Sequence, residues 1–237
     1  MNRSIRMPEM IHARLMFPVI LIILISVIGS RAADPVAVVV KIIGRVEMTN
    51  DKSPKPEPVK NGTVIFSGDK LRTSGSSLCD IKFVDDKSLL RIKENSVCTI
   101  EGDLEKDFIN KNIILESGTV FASLFKQRGQ FHITTPTSVA SVKGTQFYVI
   151  QFADGRTMYI GIEGLVDLSN DAGRVLLRSG QTAVYSSSKE LPEMRLTNKE
   201  EIPAFTEGNE GAKIIEIEFR DPAGQVKKMR IDYTEEP

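Results

Sequence analysis

The stretch FHITTPTSVASVKGTQFYV, Phe131 to Val149, constrains the fold more than any other part of this chain. Phe131 and Ile133 alternate with polar neighbours at period two, as in a half-buried strand whose successive side chains point to opposite faces. Pro136 ends that pairing. Proline has no N–H to give and holds Thr135 extended, so Thr135-Pro136 reads as a strand end that turns a corner. Gly144 stands where a bulge or a close backbone approach uses a residue without Cβ. Phe147-Tyr148-Val149-Ile150 then runs as unbroken β-formers, which predicts a central strand covered on both faces.

The remaining chain repeats this language of short strands and tight turns. Val36 to Val46 reads as a first strand kinked at Gly44. Pro54, Pro56 and Pro58 space the next stretch so that it should not pair in a sheet and should form an extended loop. Leu78 to Val84 places Cys79, Ile81 and Phe83 on one parity, and Asp85-Asp86-Lys87 marks a hairpin into Leu89 to Ile92. Val97 to Ile100 follows a turn at Asn95-Ser96. Gly102 to Lys111 reads as a charged loop or a helical turn, and Ser117-Gly118 as a turn between two strands. Ala153-Asp154-Gly155-Arg156 and the turn at 170–173 close two further hairpins. Glycine precedes valine by two positions at Gly44, Gly118 and Gly164, an echo that suggests a repeated strand-turn-strand unit or a chance likeness among β-segments. Ser186 to Gly211 is polar, with at most a short helix around Asn198 to Ile202. Ile214 to Arg220 and Val226 to Tyr233 alternate across Asp221-Pro222-Ala223-Gly224 as a hairpin that is marginal by itself.

Arg3, Arg6 and Arg14 precede an uncharged run from Leu15 to Ser30 that is shorter than a membrane span, and Ser30-Arg31-Ala32 has the small-x-small pattern of a cleavage site. This is the pattern of a signal peptide, with an uncleaved anchor as the alternative. The chain has 31 basic and 31 acidic residues. Losing Arg3, Arg6, Arg14, Arg31 and Glu9 with the first 32 residues leaves a net charge of −3, which offers no footprint for nucleic acid. The expected organisation is a signal peptide over 1–32, a β domain over 34–187, a linker over 188–211 and a C-terminal hairpin extension over 212–237. The expected fold is all-β, an antiparallel sandwich or roll of short strands.

Thr135-Pro136-Thr137 followed by Val142-Lys143-Gly144-Thr145-Gln146-Phe147 resembles the TP…V(R/K)GT.F signature of the FecR domain, a periplasmic all-β module of bacterial iron-dicitrate-type regulators and their relatives. Gly68-Asp69-Lys70-Leu71-Arg72-Thr73, Phe83-Val84-Asp85-Asp86 and Leu115-Glu116-Ser117-Gly118-Thr119-Val120-Phe121 fall in the family's usual order, and the likeness covers about Val36 to Tyr185. One departure stands out: the glycine the family often has after its turn aspartate is replaced by Asp86 or Lys87. The resemblance implies that Thr135, Pro136, Val142, Lys143, Gly144, Thr145 and Phe147 form a structural motif. It also implies a domain that takes its signal from a transporter's periplasmic segment. In signal-transducing members a cytoplasmic segment that handles a sigma factor precedes the membrane helix. Fewer than fifteen residues precede Leu15 here, so direct sigma-factor control is not expected.

Catalytic, cofactor and metal sites are not expected. Beyond the first 32 residues the sole histidine is His132, so a multi-histidine metal site cannot form within one chain. Asp69, Asp85, Asp86 and Asp154 are scattered in turns without the spacing of a calcium loop. Cys79 and Cys98 are even in number and share parity with apolar neighbours, so they read equally as a disulfide or as two buried thiols. The reading is an exported, non-catalytic binding module of the bacterial envelope. It would meet an envelope protein, such as a transporter or membrane regulator, through strand edges or the C-terminal hairpin. A glycan-binding or adhesive surface module is the alternative, and a hydrolase built on Asp69 or Asp85 is a third class.

Overall fold

The computed structural model describes residues 34–50, 53–124, 127–203, 213–220 and 226–233. Residues 1–32, read above as a signal peptide, lie outside them. From residue 35 to 196 the chain is a sandwich of two sheets joined by one long strand. Sheet I contains β1 (Pro35–Ile43), β4 (Val64–Phe66), β6 (Leu78–Phe83), β7 (Leu89–Ile92), β12 (Gln146–Gln151), β13 (Thr157–Glu163), β16 (Gln181–Tyr185) and β17 (Glu193–Leu196). Sheet II contains β2 (Val46–Thr49), β3 (Glu57–Pro58), β5 (Asp69–Thr73), β8 (Val97–Glu105), β10 (Phe131–Thr134), β11 (Val139–Val142), β14 (Leu165–Asn170) and β15 (Gly173–Arg178). The sixteen-residue β9 (Phe108–Ser123) belongs to both. Its first part pairs with β8 and β10 in sheet II, and its last part, from Gly118, pairs with β7 and β12 in sheet I.

The chain changes sheet repeatedly, and a backbone of positive φ stands at each change. Gly44, Gly62, Gly68, Ser76, Asn95, Gly118, Gly129, Gly144, Gly164 and Gly180 all have φ between 54° and 92°. The three glycines that echo one another in the sequence, Gly44, Gly118 and Gly164, are therefore corners at which the chain crosses from one layer to the other. Gly118 shows why the corner needs glycine: its φ is +92°, and a Cβ would run into Ser96. In this close approach the Ser96 hydroxyl accepts the Thr119 N–H at 2.9 Å, satisfying a donor that the bend removes from its ladder.

Four details depart from the sequence expectations. The loop or helical turn at 102–111 is instead the arms of the β8–β9 hairpin, turning at Lys106 and Asp107, with Lys106 at φ 51°. Ser117-Gly118 is a bend within β9 rather than a turn between strands. Pro58 does pair, opposite Glu47 in β3; β3 is an edge, where one side needs no N–H, and proline is tolerated there. Within the stretch read as linker, β17 pairs with β16, whereas the short helix expected around Asn198 to Ile202 is there as the 3-10 turn Lys199–Glu201, which Asn198 caps by accepting the Glu200 N–H. The sandwich also contains one parallel pair, β9 with β10. The chain reaches it through sheet I and the 124–130 crossover, since parallel neighbours cannot be joined by a hairpin.

The core lies between the sheets. Ile81, Phe83, Leu90, Val120, Phe147, Val149 and Tyr159 of sheet I meet Leu71, Cys98, Ile113, Phe131, Ile133, Val166 and Leu168 of sheet II, all fully or almost fully buried. Strand β12 is central, flanked by β9 and β13, and its Phe147, Tyr148 and Val149 are all buried. A hairpin of β18 (Lys213–Arg220) and β19 (Val226–Tyr233) forms the C-terminal extension.

Candidate functional site

Three polar constructions distinguish the domain. The first is a charge buried in the core. Inward parity on β9 runs Ile109, Lys111, Ile113, Leu115, so a lysine points where its neighbours are aliphatic. Its ammonium lies 2.7 Å from Asp85 Oδ2 and 2.8 Å from Asp86 Oδ2, and it donates to the carbonyls of Ile109 and Arg128 at 3.1 and 3.2 Å. The Phe83 ring lies 5.5 Å away. Asp86 also accepts the Arg128 N–H at 3.0 Å and the Ser88 N–H at 2.9 Å. Burial alone would raise the Asp86 carboxyl, but hydrogen bonds from Lys111, Arg128 and Ser88 outweigh it and hold the group below its ordinary value. The cluster ties the β6–β7 turn to the 124–130 crossover. The positive φ expected of the missing glycine is taken by Lys87, at 59°, which leaves Asp86 free to serve Lys111. Sequence reading missed Lys111; its signal was a lysine on the apolar parity of an alternating run.

The second is a knot of hydroxyls around the motif. Thr135 donates to the Ser138 carbonyl at 3.0 Å, closing the β10–β11 turn. The hydroxyls of Thr137 and Thr157 lie 2.6 Å apart, Thr157 donates to Gln151 Oε1 at 2.6 Å, and Ser138 lies 2.9 Å from the Tyr159 hydroxyl. All these side chains are buried, so they satisfy one another at the closed end of the sandwich. Pro136 caps this turn on the surface. At the other end of β11, Lys143 and Gly144 are exposed at the corner into β12, where the Thr145 carbonyl accepts the Leu124 N–H at 3.0 Å. Val142 and Phe147 point into the core. These motif positions thus build two turns, and none converges on an open cleft.

The third is a polar groove of about 380 Å3 on the outer face of sheet II. Ser67, Glu101, Asp103, Asn112, Gln130 and His132 line it. Asn112 donates to Glu101 Oε2 at 2.8 Å and accepts from Thr134 at 2.8 Å, which fixes the orientation of its amide. His132 thus stands on a strand surface, and no group of three or more metal-ligating side chains occurs among the described residues. The scattered aspartates act in turns: Asp69 accepts the Phe66 N–H at 2.8 Å and the Asn50 amide at 2.9 Å, and Asp154 accepts the Arg156 N–H at 3.1 Å. Cys79 and Cys98 are unbonded and buried on opposing sheets. Burial, with a smaller contribution from Asp80, pushes the Cys79 thiol up to about 12, and burial raises Cys98 further.

Next to the groove's sheet lies an open flank. Strand β15 is the last of sheet II and pairs only with β14 among the described strands. Leu176 on it and Leu165 on β14 are both more than 40% exposed. Among the described residues no helix is long and apolar enough to cross a membrane.

Residues 69–167 match the family model described as FecR protein. Two crystal structures of a candidate anti-sigma factor from Parabacteroides distasonis are similar to it at 12% identity and a TM-score of 0.48, over 56% of this chain and 62% of that one. The chain thus spans less than two thirds of that protein's length. No curated protein matches.

Proposed function

We propose that the chain is an exported, non-catalytic binding module that meets an envelope protein, a transporter or membrane regulator, by strand addition at β15. The open edge of Gly173–Arg178 carries this reading. An unpaired strand edge offers a row of N–H and C=O groups to an extended segment, and side chains beside it supply selectivity. Arg174, held 2.9 Å from Asp167, and Arg178 flank the exposed Leu176, so the edge is guarded by charge against self-association yet keeps an apolar contact. Export rests on the three arginines before the apolar run Leu15 to Ser30. The domain boundaries at 34, 187 and 211 belong to the same proposal, with β17 extending the folded part.

Photocrosslinking from position 176 in living cells tests it. A discrete adduct with an envelope protein is expected, and Leu176→Lys should abolish binding of that protein while leaving the melting temperature within a few degrees. Adducts equally abundant from Lys82, on the other sheet, would show that the edge is not the contact.

The polar groove favours a second reading, glycan binding, since oriented amide and carboxylate groups suit sugar hydroxyls. Retention on purified peptidoglycan that is lost in His132→Ala and Asn112→Ala would support it.

A further inference from the structure

The two outer faces of the sandwich differ in kind. Sheet II presents Glu101, Asn112, His132, Thr134 and other polar groups, whereas sheet I presents a second apolar cluster, separate from the core. Phe121, Tyr148, Met158 and Ile160 form its centre, with Ile150, Phe152, Ile162 and Val184 around them. These residues alternate with the core-facing Val120, Phe147, Val149 and Tyr159, so they point away from it. Yet Tyr148 and Ile160 are 1% and 0% exposed. In-plane neighbours cannot hide a residue on a sheet face to that degree, so this face belongs to an interface between layers.

The described chain begins that layer itself. After β17 it turns back, held by the Arg195–Glu201 ion pair at 2.6 Å and by the Thr197 N–H donating to the Gly180 carbonyl at 2.9 Å. Ile202 then packs on the cluster. Further along the chain stands the hairpin, whose register sets Ile215 opposite Ile231 and Ile217 opposite Met229. Its sequence puts Ile215, Ile217, Phe219, Met229 and Ile231 on one parity and Glu216, Glu218, Lys228 and Arg230 on the other. A two-stranded hairpin is marginal in water unless its apolar face is covered. The ten steps from Pro203 to Lys213 can span about 30 Å, enough to lay it anywhere on the patch.

We propose that the apolar outer face of sheet I is the docking site of this chain's own C-terminal hairpin, with positions 215, 217, 219, 229 and 231 packed on Phe121, Tyr148, Ile150, Met158 and Ile160. The hairpin is then a third layer, clipped on by residues 197–203, and the face it covers is closed to partners while β15 on the other sheet stays open. This docking is independent of the function proposed above.

Cysteine pairs in the full chain test it: Ile217→Cys combined in turn with Ile150→Cys, Phe152→Cys and Ile162→Cys, with Glu216→Cys as the opposite-face control. The native thiols, buried and protonated, do not compete. Oxidation of dilute protein should give an intramolecular link, identified by peptide mass, in at least one Ile217→Cys pairing and in none with Glu216→Cys. Links found only between chains, which would seat a second copy on the face, would overturn the proposal. So would an introduced thiol at position 217 that stays reactive to maleimide in all three pairings. Should the cysteine variants fold poorly, Ile217→Asp alone suffices: binding of an apolar-surface dye and cleavage within 204–212 should rise several-fold, and no change in either would overturn it.

Discussion

Lys111 and Asp86 form an ion pair 2.8 Å long in which neither side chain is exposed to solvent. Such a pair is costly to assemble but more costly to break, because the surviving partner is left as an uncompensated buried charge. Lys111→Ala should therefore lose about 3–5 kcal/mol in urea unfolding, and Asp86→Asn should lose a substantial part of that. The triple variant Asp85→Asn, Asp86→Asn, Lys111→Met should recover most of the loss. A triple variant no more stable than Lys111→Ala would show that the charges themselves, rather than the removal of one partner, hold the crossover.

The same cluster sets a pH dependence. Asp86 has its carboxyl lowered in the fold, so the folded state favours the ionised form relative to the unfolded chain, where the ordinary value is about 3.9. Its stabilising contribution is complete above that value and is lost as pH falls through the lower folded value. Stability should thus be nearly flat in this contribution from pH 7 to 5 and should fall below pH 4, with the fall less steep in Asp86→Asn. Identical acid limbs for the two proteins in urea midpoints taken from pH 5 to 2 would remove Asp86 from the account.

Much of this architecture could be read from local chemistry. The strands over 78–83, 89–92, 147–151 and 165–178 are stated by period two and by turn residues, and Thr135-Pro136 declares its turn. What could not be read depends on the second sheet. Nothing local distinguishes a glycine that turns a hairpin, such as Gly155, from one that carries the chain across the sandwich, such as Gly118, because both require only positive φ. Likewise Lys111 is acceptable as a surface lysine until Asp85 and Asp86, 26 and 25 residues upstream, are brought to it. Pro58 looked unfit for pairing because its lack of a donor matters only if both sides of the strand are occupied.

The corner glycines make a graded prediction. Gly155, at φ +90°, has open space where a Cβ would stand, whereas a Cβ on Gly118 would meet Ser96, itself fixed by its bonds to Thr119, Glu94 and Thr73. Both alanine variants incur roughly 1–2 kcal/mol for a left-handed backbone. Gly118→Ala should cost clearly more, by at least about 1 kcal/mol for the overlap. Equal losses in chemical denaturation would mean that β9 shifts freely at its bend.

Tyr159 and Tyr185 pack edge to face at 5.9 Å between ring centroids, both fully buried, but their hydroxyls differ in fortune. That of Tyr159 lies 2.9 Å from Ser138 Oγ and 3.4 Å from Thr135 Oγ1, whereas that of Tyr185 is buried with no hydrogen-bond partner among the described residues. Removing a bonded hydroxyl leaves its partner unsatisfied and costs about 1 kcal/mol or more, whereas removing an unsatisfied one relieves a desolvation penalty. Tyr159→Phe should therefore lower stability by about 1–2 kcal/mol and loosen the Thr135–Ser138 turn, seen as faster amide exchange at Ser138. Tyr185→Phe should be neutral or stabilising, since the ring contact survives in both. A Tyr185→Phe variant as damaged as Tyr159→Phe would require an ordered water or other partner on the Tyr185 hydroxyl, and would count against the hydroxyl knot as the feature that singles out the TPT turn.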